Sequence, residues 1–284
     1  MGVRSLDVPD WVSYLRRGFV KATFALKPKC AGAPWVGVVL ADPPRSLPAA
    51  PVISGMGVHT RPDAAIAIAT AEAVERYGVL LSRSRAADGP AAQAASHRRL
   101  LTGTAVATTR RTAVRRALAE SLERVAIERL CADGSTANAE PWPTGGAGRC
   151  IARAFAESTL AGEVFLAAVL PGFWVCVVAL VTSRGTLVAL GTAGAGSPSA
   201  ARRRAMFEAY GLWAASGESL RSPVTETDER LLASLRAPRR SQPLLGGSLL
   251  PELLDSRPAT LTTDIGTRLS DECGLHAAQV AITQ

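Results

Sequence analysis

The chain has 284 residues, is 48% hydrophobic and carries a net charge of +8, enough to bury a substantial core in one large or two modest domains. Its five cysteines (Cys30, Cys131, Cys150, Cys176 and Cys273) are scattered and form no C-x-x-C pair, which argues against a zinc ribbon or a disulfide framework and suits a reducing cytoplasm. Only Lys21, Lys27 and Lys29 of the 32 basic residues are lysine, and no aromatics interleave with Arg110-Arg111, Arg202-Arg203-Arg204 or Arg239-Arg240, so the charge is not read as a nucleic-acid footprint.

The opening MGVRSLDVPDW is charged and leads into no long apolar stretch, so no signal peptide is expected. The first patterned segment, 55–76 (GMGVHTRPDAAIAIATAEAVER), reads as a strand end, a turn built on Gly55-Met56-Gly57 and a helix, with Thr60 as N-cap and Pro62 just inside. Residues 82–93 read as a loop. The second segment, 103–124 (GTAVATTRRTAVRRALAESLER), repeats the strand, turn and helix, with Thr109 or Thr112 as cap, and 136–148 is a Gly- and Pro-rich loop that would mark a hinge.

Residues 164–181 run eighteen positions without a charge, near the length that spans a bilayer. Pro171-Gly172 splits the run, and Val175, Val177, Val178 and Val181 favour extended chain, so two buried strands are expected and no membrane helix. Cys176 then reads as a core thiol. The third segment, 191–212 (GTAGAGSPSAARRRAMFEAYGL), follows, with Ser197 or Ser199 as cap around Pro198; its GTAGAG lacks a Walker lysine and a complete G-x-G-x-x-G and reads as a tight turn between strand and helix. Residues 216–243 are polar and basic around a short helix.

The three segments align without gaps. Gly55, Gly103 and Gly191 each precede a glutamate by 17 residues (Glu72, Glu120, Glu208), with alanine seven before it (Ala65, Ala113, Ala201) and three before it (Ala69, Ala117, Ala205). Glu72, Glu75 and Arg76 share one helical face, as do Glu120, Glu123 and Arg124. Most such clusters are solvated faces with a salt bridge. Here the flanking Ala71, Ala73, Val74, Leu118, Ala119 and Leu122 leave little other polar surface, so the carboxylates are expected to face something specific. Mg²⁺ takes hard oxygen ligands and is usually bound through few carboxylates plus substrate phosphates, which makes it the leading candidate, with the arginines on phosphate oxygens. His59, His97 and His276 are too dispersed for a metal triad, and no G-x-S-x-G marks a serine hydrolase. No catalytic nucleophile is assigned.

SGMG (54–57), AEAVERY (71–77), TGTA with ALAESLER (102–105, 117–124), GTAGAG with RAMFEA (191–196, 204–209) and the late TLTTDIG region within 250–282 together resemble the YcaO family, in that family's order along most of the chain. The resemblance implies an α/β fold of mixed sheets with packed helices, formed as a single domain over 1–284 from repeated strand, turn and helix units. It implies ATP and Mg²⁺ as cofactors. Glu72, Glu75, Glu120 and Glu123 would be metal ligands, and Glu208, Arg76 and Arg124 would join them at the nucleotide.

Family members phosphorylate the oxygen of a peptide amide as a nucleophile adds to its carbon, giving an azoline from a Cys, Ser or Thr side chain, a thioamide from a sulfide donor or an amidine from an amine. Many act on ribosomally made precursor peptides beside a leader-binding partner protein or a second YcaO-like subunit, and homodimers are expected. The chain departs from the family's pattern where that pattern has serines (here Ile68 and Ala201), a glutamine (Leu212) and an aspartate (Val125), and it ends before the family's proline-rich tail. A second reading therefore stays open: a degenerate subunit that keeps the fold and serves as scaffold or partner-binding component.

Overall fold

The computed structural model describes residues 20–45, 50–87, 100–132, 137–217, 224–237, 260–264 and 275–283. The chain divides into two compact units, the first formed by 1–28, 34–118 and 260–284 and the second by 29–33 and 119–259. The division falls inside a helix, between Leu118 and Ala119, and not in the 136–148 segment.

In the first unit, β1 (Val20–Leu26), β2 (Trp35–Ala41) and β3 (Ile53–His59) form an antiparallel sheet in that order. A second antiparallel sheet has β4 (Leu100–Ala107) and β9 (Thr260–Asp264) on either side of β10 (His276–Thr283). Helix α1 (Pro62–Ala87) buries Ala69, Ala73 and Val74 against Val39, Ala41 and Ile53 of the first sheet and Val106 and Ala277 of the second. The start of α2 (Arg110–Ala132) sets Ala113 and Ala117 against Ala105, Ala107, Ala278 and Val280.

The second unit holds a four-stranded antiparallel meander: β5 (Asn138–Glu140), β6 (Leu160–Leu170), β7 (Phe173–Thr182) and β8 (Leu187–Ala195). Strands β6 and β7 are the pair expected of 164–181, joined at Pro171-Gly172, with Gly172 at a φ of 76° that glycine adopts freely. No described helix is long and apolar enough to cross a membrane. The end of α2 packs Leu130 on this sheet beside Leu231, Leu232 and Leu235 of α5 (Glu226–Arg236), a helix started by a Thr225/Asp228 capping box. Helix α3 (Gly146–Glu157) contributes Phe155 to an aromatic cluster with Trp142, and with Tyr210 and Trp213 of α4 (Pro198–Ser216).

The expected α/β architecture is present, and every described strand pairing is antiparallel. Two local readings are corrected. Gly55, Gly57, Gly103, Gly191 and Gly194 lie inside β3, β4 and β8 and not in turns. Their reason is close approach: a Cβ on Gly55 would sit 1.9 Å from the Ala69 carbonyl oxygen, and one on Gly191 would sit 2.2 Å from that of Ala205. In the first and third repeats the glycine and alanines are thus two sides of one strand–helix contact, and all six repeated alanines are fully buried. Residues 82–87 continue helix α1, and 146–148 open α3, where loop had been expected. The caps fall at Thr109, whose hydroxyl accepts from the Thr112 N–H, and at Ser197, which accepts from the Ala200 N–H. Helix α1 starts at Pro62, so Arg61 and not Thr60 holds its N-cap position. His97, Cys273 and 238–243 lie outside the described residues.

Candidate functional site

Glu72, Glu75, Glu123 and Glu208 reach from their helices to the glycine-containing strands. In the first unit, Glu72 accepts a hydrogen bond of 2.7 Å from the Met56 N–H of β3 through Oε2, while its other oxygen pairs with Arg76. Arg76 also donates to the Ser54 carbonyl at 2.7 Å and to the Ser54 hydroxyl at 3.2 Å, fixing the guanidinium between helix and strand. Glu75, one turn on, accepts from the Thr104 hydroxyl of β4 at 2.7 Å.

In the second unit, Glu208 of α4 accepts from the Thr192 N–H of β8 at 2.9 Å, the counterpart of the Glu72–Met56 bond, since Met56 and Thr192 each directly follow the repeat glycine. Glu123 accepts 2.6 Å from the Thr192 hydroxyl with Oε1 and 2.7 Å from the Gly194 N–H with Oε2. Burial pushes the Glu123 carboxyl above its ordinary range, outweighing those two bonds, which favour the charged form. Glu120 pairs with Arg124, 3.1 Å from its Nε.

Glu72, Glu75, Arg76, Glu123 and Glu208 are thus each engaged with a strand, which is more than a solvated salt-bridged face would give, whereas Glu120 and Arg124 form an i,i+4 pair in which Arg124 is half exposed. Sequence reasoning missed Thr104 and Thr192, although GT opens both later repeats. It also missed Arg116 and Arg204, four residues before their glutamates, which donate to the Val106 and Gly194 carbonyls at 3.5 and 3.4 Å. Ile68 holds the matching place in the first repeat, where it is 45% exposed. Val125 and Ala201 are buried. His59 sits at the end of β3, where its Nδ1 accepts from the Arg61 N–H at 3.1 Å. Cys176 is fully buried, its thiol pushed up to about 12 by desolvation, as a core residue should be.

Among the described residues no three His, Cys, Asp or Glu side chains are grouped to hold a metal ion. The donor set, carboxylates flanked by arginine, fits an ion bound through one or two carboxylates with phosphate oxygens and water completing its shell. It does not fit a dedicated all-protein cage.

Neither a protein-family model nor a curated protein matches the sequence. Solved structures do resemble it. YcaO from Methanopyrus kandleri, bound with AMPPCP and Mg²⁺, is similar over 95% of this chain and 88% of its own, with a TM-score of 0.63 at 16% identity. A heterocyclase in complex with substrate and cofactor is similar over 95% of this chain, with a TM-score of 0.59 at 13% identity; this chain spans 51% of that protein's length. The Escherichia coli microcin synthetase McbBCD complex is similar over 92% of this chain and 86% of its own, with a TM-score of 0.57 at 11% identity. Likeness of this extent at such low identity is a likeness of architecture, and the architecture of this chain is the YcaO fold.

Proposed function

We propose that the protein binds Mg-ATP and uses it to activate a backbone amide of a ribosomally made precursor peptide, in cyclodehydration, thioamide or amidine formation. The observation that carries this reading is the repeated carboxylate set, held against strand N–H and hydroxyl groups, in a chain whose fold matches a YcaO solved with AMPPCP and Mg²⁺. In the first unit Glu72 and Glu75 are the candidate metal ligands; in the second, Glu120 and Glu123, with Glu208 at the nucleotide. Bound ATP supplies the phosphoryl group that turns the amide oxygen into a leaving group.

The protein's own part is positioning and charge neutralisation, the demands that phosphoryl transfer makes of a site. Arg76 and Arg124, each paired to a carboxylate, orient Glu72 and Glu120 and bring positive charge to phosphate oxygens. The partner is a precursor peptide, presented by a leader-binding protein or a second YcaO-like subunit, and the compartment is the cytoplasm. A homodimer also fits this reading.

The alternative, a scaffold subunit without nucleotide chemistry, is favoured by Ile68, Val125, Ala201 and Leu212, apolar where a nucleotide site would use hydrogen-bonding groups. The test is to incubate the purified protein with Mg-ATP and the short peptides encoded beside its gene, following peptide mass and free phosphate. Loss of water, or exchange of oxygen for sulfur, with one phosphate released per altered amide supports the enzyme. Modification that needs a second YcaO-like chain and survives Glu72→Gln here supports the scaffold.

A further inference from the structure

We propose that Thr104 and Thr192 are positioning residues, each holding the second glutamate of the preceding repeat in the orientation that receives magnesium; this rests on the nucleotide-binding reading above. The two contacts are equivalent. Thr104 and Thr192 each directly follow the repeat glycine, Gly103 or Gly191, on a strand. Each donates its hydroxyl, at 2.7 and 2.6 Å, to a glutamate three residues beyond the main glutamate of the repeat before it. One pair, Glu75 with Thr104, lies in the first unit, and the other, Glu123 with Thr192, in the second.

The ends of the series match. The first repeat has no predecessor to supply a glutamate, and its equivalent position is Met56, which has no hydroxyl to give. The third repeat has no successor, and three residues beyond Glu208 stands Gly211, which has no carboxylate. Donor and acceptor are present where both can be used and missing where either would be idle. Two chance contacts would not give that correspondence.

The chemistry suits a positioning role. A threonine hydroxyl has one proton to donate, and β-branching restricts its χ1 in a strand, so the donor is oriented before any ligand arrives. A carboxylate oxygen that accepts one hydrogen bond keeps a second lone pair for a cation. Groups that orient a metal ligand in this way usually change metal affinity by about 10- to 100-fold when removed.

The test compares wild type with Thr104→Val, Thr192→Val and the matching serine variants, all full-length, by calorimetric titration with AMPPCP with and without Mg²⁺. The valine variants should lose about 10- to 100-fold of the magnesium-dependent affinity while binding AMPPCP alone as wild type does, and serine should restore most of the loss. Thermal unfolding of each variant reports whether it is folded; a merely structural role would lower stability and leave the magnesium-dependent increment intact. Valine variants that keep the full increment, or folded serine variants that fail to recover it, overturn the positioning role alone. A wild type that shows no magnesium-dependent binding overturns the nucleotide reading and this proposal with it.

Discussion

Glu123 offers the sharpest separation of structure from chemistry. Its two oxygens accept from the Thr192 hydroxyl and the Gly194 N–H, and its carboxyl is desolvated. Glu123→Ala leaves the buried Gly194 amide without its acceptor, at about 1–3 kcal/mol, and removes the Thr192 hydroxyl bond, at about 1 kcal/mol; relief of the desolvated charge offsets part of this, for a net loss of about 2 kcal/mol at neutral pH. Glu123→Gln keeps both bonds: Oε1 accepts from Gly194, and Nε2 donates to Thr192 once that hydroxyl rotates. It should stay within about 1 kcal/mol of wild type. The pH dependence has a definite sign. With the folded pKa raised above the ordinary value of 4.5, the native state binds more protons than the unfolded chain in the interval between them. Wild-type stability is thus lost as pH rises through that interval, whereas the glutamine variant lacks this contribution. Urea unfolding followed by circular dichroism from pH 4 to pH 8 should show wild type losing ground to Glu123→Gln as pH rises. Equal losses for alanine and glutamine, or a wild-type to glutamine difference independent of pH, would refute the argument.

Gly191→Ala places a Cβ 2.2 Å from the Ala205 carbonyl oxygen and 2.4 Å from the Ala209 nitrogen, backbone atoms that cannot swing aside. It should cost about 3 kcal/mol, read as a shift in urea midpoint. Gly196→Ala, whose Cβ would meet nothing nearer than 3.6 Å, should change stability by no more than about 0.5 kcal/mol. Ile68→Ser, at an exposed position, should leave unfolding nearly unchanged and, by adding one hydrogen-bonding group, tighten AMPPCP binding about fivefold in a calorimetric titration. Cys176, buried and with its thiol at about 12, should resist iodoacetamide in the folded protein at pH 8, while the partly exposed Cys30, Cys131 and Cys150 react; mass spectrometry of the labelled peptides checks this.

The repeats were legible because their physical cause is local: in the first and third copies glycine on the strand and alanine on the helix are both dictated by one close contact, so they recur at fixed spacing. The glycines' setting was misread because Gly-rich stretches usually punctuate chains, whereas here a helix backbone lies where a side chain would be. The division of 164–181 into β6 and β7 could be read from Pro171-Gly172, a turn signal confined to two residues. The apolar flanks of Glu72, Glu75 and Glu123 pointed to a specific partner for these carboxylates, and each has one on a strand. Their partners were not apparent, since Thr104 is 29 residues from Glu75 and Thr192 is 69 from Glu123, and only the tertiary fold shows that each repeat's strand meets the helix of the repeat before it. Helix α1 ran past its expected end because its last turns, polar in sequence, carry good helix formers such as Arg83, Arg85, Ala86 and Ala87.

Calorimetric titration of the full-length protein with AMPPCP, with and without Mg²⁺, tests the central claim most directly. The account predicts magnesium-dependent binding in the micromolar range that is abolished by Glu120→Gln. Absence of binding up to millimolar analogue, or binding indifferent to both magnesium and Glu120, would contradict it.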